Sequence, residues 1–137
     1  MLLDKVKKYY DVGIYDLNCA ETILYALNEE YDLNLSVDTY KSVAAFGGGM
    51  GVESVCGALT GALSILGILY TDERAHKSPL VKELSIELVN KFEKELKSSN
   101  CRELKEMHRN EEIRCGVIVE KTAEILEDII KKNKFKL

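Results

Sequence analysis

From Ser54 to Thr71 the chain runs for eighteen residues without a charge. In a sequence that is 31% charged, such a run must be taken out of water, either by the rest of the protein or by a membrane. Its length reaches the lower limit for a membrane span. Yet Ser54, Thr60, Ser64 and five glycine or alanine residues leave it weakly apolar, Cys56 lies within it, and no basic flank follows. The run therefore reads as a central buried helix over 54–70, and no membrane span is expected. Within it Gly57 and Gly61 form a small-xxx-small face, which lets another helix backbone come close.

Helix signals continue on both sides, and no alternating strand pattern persists. Residues 1–12 read as a short charged helix that Gly13 breaks. A second helix runs from about Cys19 to Tyr31, with Cys19, Ile23 and Ala26/Leu27 on one stripe. Ser36 opens a third, to Ala45, which the glycines end. Ser78-Pro79 is a good N-cap and first-turn pair for a helix to about Lys97, with Val81, Leu84, Leu88, Phe92 and Leu96 inward. Asn100 caps a short helix through Cys101 and Leu104. Asn110 can cap the last, in which Cys115, Val119, Thr122, Leu126 and Ile129 share a stripe. These readings give an all-α fold: one domain over 1–137, a bundle of about five to seven helices around the 54–70 helix. A single proline and no tryptophan agree with it.

The net charge of −4 gives no reason to expect nucleic acid or an anionic membrane as partner. Residues 1–70 carry nine acids and four bases, whereas 71–137 carry fourteen acids and fifteen bases. The basic end at Lys131, Lys132, Lys134 and Lys136 reads as a solvated tail complementing a helix C-terminus. Asp4, Lys5, Lys7 and Lys8 follow Met1-Leu2-Leu3 directly, so no signal peptide is read and a reducing cytoplasm is the expected location. There, cysteines serve metal binding or transient redox chemistry more often than structural disulfides.

The four cysteines carry the chemical signal. Two occupy the same frame, Asn18-Cys19-Ala20-Glu21 and Asn100-Cys101-Arg102-Glu103. Asn followed three residues later by Glu is close to a capping box. A cysteine between them falls in the first helical turn, where free N–H groups and the helix dipole favour a thiolate. Cys56 begins the central helix, and Cys115 lies at the polar start of the last stripe. Four thiols at helix starts can converge on one face of the bundle. Any one of them can instead be a small buried hydrophobe. No CxxC pair is present, so the signatures of thioredoxins and zinc ribbons are both missing.

Cys56-Gly57-Ala58-Leu59-Thr60-Gly61, after the run Gly47-Gly48-Gly49-Met50-Gly51, resembles the CGAxxG motif of the four-cysteine C_GCAxxG_C_C family of redox-active proteins. Asn18-Cys19-Ala20 resembles its first cysteine segment, Asn100-Cys101-Arg102-Glu103-Leu104 its third, and Cys115 its fourth. The resemblance covers roughly Asn18 to Ile130 and implies a redox role centred on Cys56. A related domain stands beside haem-binding segments in split-Soret cytochromes, where an iron–sulfur centre has been suggested. The present chain has no CxxCH, so covalent haem is not expected. Four thiolates are the usual complement of an iron–sulfur cluster. The expected function is thus redox, through an iron–sulfur centre on Cys19, Cys56, Cys101 and Cys115 or a dithiol/disulfide couple among them, with a redox partner that the residues do not name. Zinc or another soft metal on the same thiols is the alternative. So is a purely structural module whose Gly57/Gly61 face pairs with a second copy as a homodimer.

Smaller candidates surround the cysteines. Gly48, Gly49 and Gly51, with Gly57, could bind a cofactor through backbone N–H groups, or let the backbone approach Cys56 closely. The run lacks the Lys-Ser/Thr ending of a P-loop. His108 could join Cys101 and Cys115 on zinc, but reads better as a surface residue. Glu53 could cap the central helix or accept a proton beside Cys56. Arg102 and Arg114 flank cysteines and could lower their pKa values, although successive residues of a helix point about 100° apart, which favours the surface.

Overall fold

Seven α-helices form among residues 1–135, the part of the chain that the computed structural model describes. Lys136, in the expected basic end, lies outside the described residues. The helices are α1 (Leu2–Tyr9), α2 (Cys19–Tyr31), α3 (Val37–Lys41), α4 (Gly57–Tyr70), α5 (Pro79–Leu96), α6 (Cys101–His108) and α7 (Gly116–Lys132). Among the described residues there is no strand, only two isolated bridges, Val55 with Asn100 and Asn110 with Arg114. No described helix is long and apolar enough to cross a membrane.

The uncharged run is the centre of the fold, as its composition requires. Helix α4 packs against α2, α5 and α7, and Ala58, Ala62, Ile65 and Leu66 are wholly buried. The α2 stripe of Ile23, Ala26 and Leu27, the α5 stripe of Leu84, Leu88, Phe92 and Leu96, and the α7 stripe of Val119, Thr122, Leu126 and Ile129 close around it. Val81 stays half-buried.

The small-residue face of α4 is consumed inside the chain. A Cβ on Gly61 would lie 2.9 Å from the Cα and carbonyl oxygen of Ala20 on α2, and one on Gly57 would lie 2.9 Å from the Phe46 carbonyl oxygen. That face therefore docks α2 and the segment before the glycine run. It is not open to a second copy.

Several helix ends differ from expectation for local reasons. Helix α4 starts at Gly57 because residues 54–56 pair with residues 99–101: Cys56 N–H donates to the Ser99 carbonyl (2.9 Å) and Cys101 N–H to the Ser54 carbonyl. Glu53 therefore does not cap it. Helix α7 starts at Gly116, since the Asn110 side chain accepts from the N–H groups of Glu112 and Ile113 and closes a turn instead. Ser78 and Pro79 take the N-cap and first-turn positions of α5 as expected, but the Ser78 side chain makes no capping bond; its hydroxyl accepts from Asp72 N–H and donates toward the Arg74 carbonyl. Helix α3 stops at Lys41, short of Ala45, and a 3-10 turn follows at Ala44–Phe46. The echoed Asn-Cys-x-Glu frame forms a full capping box only at α2. At α6 Asn100 accepts from Glu103 N–H, but the Glu103 carboxylate turns to the Ser98 hydroxyl.

Candidate functional site

The starts of α2, α4, α6 and α7 meet at one end of the bundle and wall a cavity of about 150 Å³ that all four cysteines line. Cys19 is the first residue of α2 and Cys101 the first of α6; Cys56 and Cys115 immediately precede α4 and α7. Cys56, Cys101 and Cys115 are buried, and Cys19 is partly buried against the core. All four are free thiols. Leu17, Leu104 and Ile118 complete an apolar wall.

Two devices bring the thiols together. The 54–56/99–101 pairing ties the starts of α4 and α6 and so holds Cys56 and Cys101 on one short antiparallel bridge, opposite Ser99 and Ser54 respectively. Gly49 makes the second approach, because a Cβ there would lie 2.7 Å from the Cys101 Cβ and 2.5 Å from the Ser54 nitrogen, at a φ of +64°. Tyr10 links the other two cysteines. Its hydroxyl accepts from Cys115 N–H (3.2 Å) and lies 3.9 Å from Cys19 Sγ. Arg114 holds Tyr10 in place, with its guanidinium 4.3 Å over the ring and Nη2 donating to the Tyr10 carbonyl (2.8 Å).

The thiols are electrostatically unequal. Each of Cys19 and Cys115 is the largest influence on the other's protonation, through hydrogen bonding between their side chains. The Cys19 S–H donates, which raises its own pKa well above the usual thiol range; burial adds to the rise. Cys115 is lowered to about 6 by that bond, with Arg109, Lys105 and the Tyr10 hydroxyl assisting against desolvation. The two behave as one pair that holds a single proton near neutrality. Cys56 is pushed up to about 11 by burial, although the amides of Leu59 and Ala58 at the helix start pull it down. Burial also raises Cys101, against the pull of Lys105. Tyr10 is raised chiefly by burial. The cysteine at the centre of the CGAxxG motif is thus held as a thiol, and the helix starts alone do not make thiolates.

Of the glycines considered for cofactor binding, Gly48 and Gly57 line the cavity, whereas Gly49 and Gly51 do not. Glu53 turns outward to Lys105 (3.4 Å) and Arg102 (3.7 Å). His108 is apart from the thiols, at 3.0 Å from the Leu96 carbonyl. Arg102 is exposed. Lys105, Arg109, Arg114 and Tyr10 line the cavity, and the expected surface position of Arg114 is corrected. It has a φ of +51°, outside any helix, so the helical spacing argument did not apply to it. Tyr10 had no local signal, being more than a hundred residues from Cys115.

A thiol set of this kind suits a soft metal or an iron–sulfur cluster in donor chemistry. Its arrangement does not: among the described residues no three His, Cys, Asp or Glu side chains are gathered closely enough to hold a metal ion. A resident metal would require the four sulfurs to close on a common centre.

No curated protein and no solved structure matches the chain. The sequence model of one family, described as "Putative redox-active protein (C_GCAxxG_C_C)", matches residues 17–129. That span runs from the wall of the cavity before α2 almost to the end of α7 and includes all four cysteines. The chain belongs to the C_GCAxxG_C_C family.

Proposed function

We propose that the cavity carries out thiol–disulfide exchange, with Cys19 and Cys115 as the couple. The observation that carries this reading is that both line one cavity beside a single Tyr10 hydroxyl, which accepts from Cys115 N–H (3.2 Å) and lies 3.9 Å from Cys19 Sγ. One thiolate and one thiol in contact are what a dithiol needs to attack a disulfide and then resolve the mixed product. The Cys115 thiolate attacks, Cys19 resolves, and Tyr10 and Arg109 stabilise negative sulfur. Cys56 and Cys101, held as thiols, shape the wall. Unpaired thiols of this kind fit a reducing, cytoplasmic compartment.

Anaerobic oxidation followed by peptide mapping tests the proposal. The expected product is a Cys19–Cys115 disulfide, lost in Cys19→Ser and Cys115→Ser and retained in Cys56→Ser. Under a disulfide reagent Cys19→Ser accumulates the mixed disulfide on Cys115. Retention of four free thiols after oxidation would refute the couple. A second reading, a cluster or zinc on Cys19, Cys56, Cys101 and Cys115, rests on their lining one cavity and would need their sulfurs to draw together, since they are not gathered closely enough as they stand. Iron, zinc and acid-labile sulfide analysis of anaerobically purified protein separates the two: stoichiometric metal with visible absorbance favours the cluster.

A further inference from the structure

The cavity has a second property that thiol chemistry alone does not call for. Three cations line it, Lys105, Arg109 and Arg114, and no acidic side chain does. Arg114 is occupied with Tyr10. Lys105 shares Glu53, which stands outside the lining, at 3.4 Å. Arg109 pairs with no carboxylate among the described residues, and it also lines a shallow outer depression with Lys105 and Arg114. Glu111 is the one acid in that depression, so positive charge predominates from the surface to the thiols. In a partly enclosed site such one-signed charge raises the local concentration of anions and speeds their association. The volume, about 150 Å³, is below that of sites for drug-sized ligands and suits a small molecule.

We propose that the cavity takes a small disulfide bearing carboxylates, with Arg109 and Lys105 holding a carboxylate while its sulfur reaches Cys115. This rests on the thiol–disulfide reading. The Cys115 thiolate attacks one sulfur of the bound disulfide; a protein–ligand disulfide forms and the other half leaves as a thiolate. That thiolate takes the Cys19 proton. Cys19 sulfur then displaces the second half from Cys115, which leaves as a thiolate. The ligand gains two electrons and becomes a thiol and a thiolate, while the protein pair is oxidised to a disulfide. Electrons and protons balance with no further reagent.

Three disulfides of different charge test the inference on the intact reduced protein: dithiodipropionate (anionic), hydroxyethyl disulfide (neutral) and cystamine (cationic). Each rate of oxidation is divided by that of the same reagent with dithiothreitol, which removes intrinsic reactivity. The normalised rate is expected to be about tenfold higher for the anion than for the neutral reagent, and lowest for cystamine. Salt should compress the series. In Lys105→Gln/Arg109→Gln the anion-to-neutral ratio should fall severalfold toward unity, a ratio insensitive to changes in thiolate content. Equal normalised rates for all three, or an unchanged ratio in the double variant, would overturn the anionic ligand while leaving the couple intact. Oxidation by none of the three would overturn both.

Discussion

Replacing Gly61 by alanine would set a methyl group 2.9 Å from both the Cα and the carbonyl oxygen of Ala20. Ordinary carbon contacts lie near 3.5–4.0 Å, so α2 and α4 would have to part by roughly half an ångström or more. Overpacking of this kind costs about 1–3 kcal/mol. Removing a glycine from a helix interior returns about 1 kcal/mol. The net loss is then up to about 2 kcal/mol, which for a domain of this size lowers Tm by up to roughly 8 °C. Gly67 supplies the internal control, for it lies in the same helix and its nearest neighbour, Thr71 Oγ1, is 4.0 Å from the added Cβ. There the propensity gain stands nearly alone, and Gly67→Ala should raise Tm by a few degrees, from up to ~1 kcal/mol of added stability. Calorimetry of both variants under reducing conditions reads the signs directly. A Gly61→Ala protein stabilised as much as Gly67→Ala would refute the α2–α4 contact as the reason for the glycine. Because Cys19 precedes Ala20, the same displacement should also alter the Cys19–Cys115 couple in Gly61→Ala and not in Gly67→Ala.

Stability of the reduced protein should rise with pH from about 6 to about 9, because the folded Cys115 has lost a proton there that the unfolded thiol, with its ordinary value of 9.0, still holds. The raised values of Cys19 and Cys56 act in reverse above 9, so urea midpoints should pass through a maximum; a flat profile from 6 to 9 would contradict the Cys115 assignment. Tyr10→Phe leaves Cys115 N–H without its acceptor, which should cost about 1–3 kcal/mol and shift the pH midpoint of iodoacetamide alkylation upward; an unmoved midpoint removes Tyr10 from the site. Gly49→Ala meets Ser54 and Cys101 at a left-handed φ, so it should lose more than about 2 kcal/mol by denaturant unfolding. Gly51→Ala, with φ +77° but open space around it, should lose only the conformational part, about 1–2 kcal/mol; equal losses would show that crowding at Cys101 is not the constraint.

Much of the fold was legible because it is written in local pattern. The uncharged run had to be central, the Asn18/Glu21 frame placed the start of α2, and the inward stripes of α2, α5 and α7 were correct at nearly every position. Helix-start cysteines were legible for the same reason, since capping is a four-residue matter. What escaped was set by distant parts of the chain. The 54–56/99–101 pairing shortened α4, and neither segment shows a strand pattern by itself. The close approach offered by Gly57 and Gly61 was readable, but its occupant was not: small residues state that something comes near, not whether it belongs to the same chain. Arg114 was noticed beside Cys115 and moved to the surface by a helical argument, although the backbone there is left-handed. Lys105 and Arg109 gave only the ordinary appearance of charges on a short helix. The distinction between Cys115 and the other thiols depends on Tyr10, Arg109 and Cys19 arriving from three segments, and no window of sequence contains them together.

The tie between residues 54–56 and 99–101 has a kinetic consequence. Its two hydrogen bonds use the amide protons of Cys56 and Cys101, so neither proton can exchange with solvent until the tie opens, and both are released in the same event. Exchange at two peptides more than forty residues apart would then report one opening. That opening would free the start of α6, which carries Cys101, with Lys105 one turn further on. The rate at which those two amides exchange is therefore a clock for the cavity wall itself, and it sets how often a molecule too large for the closed cavity finds it open.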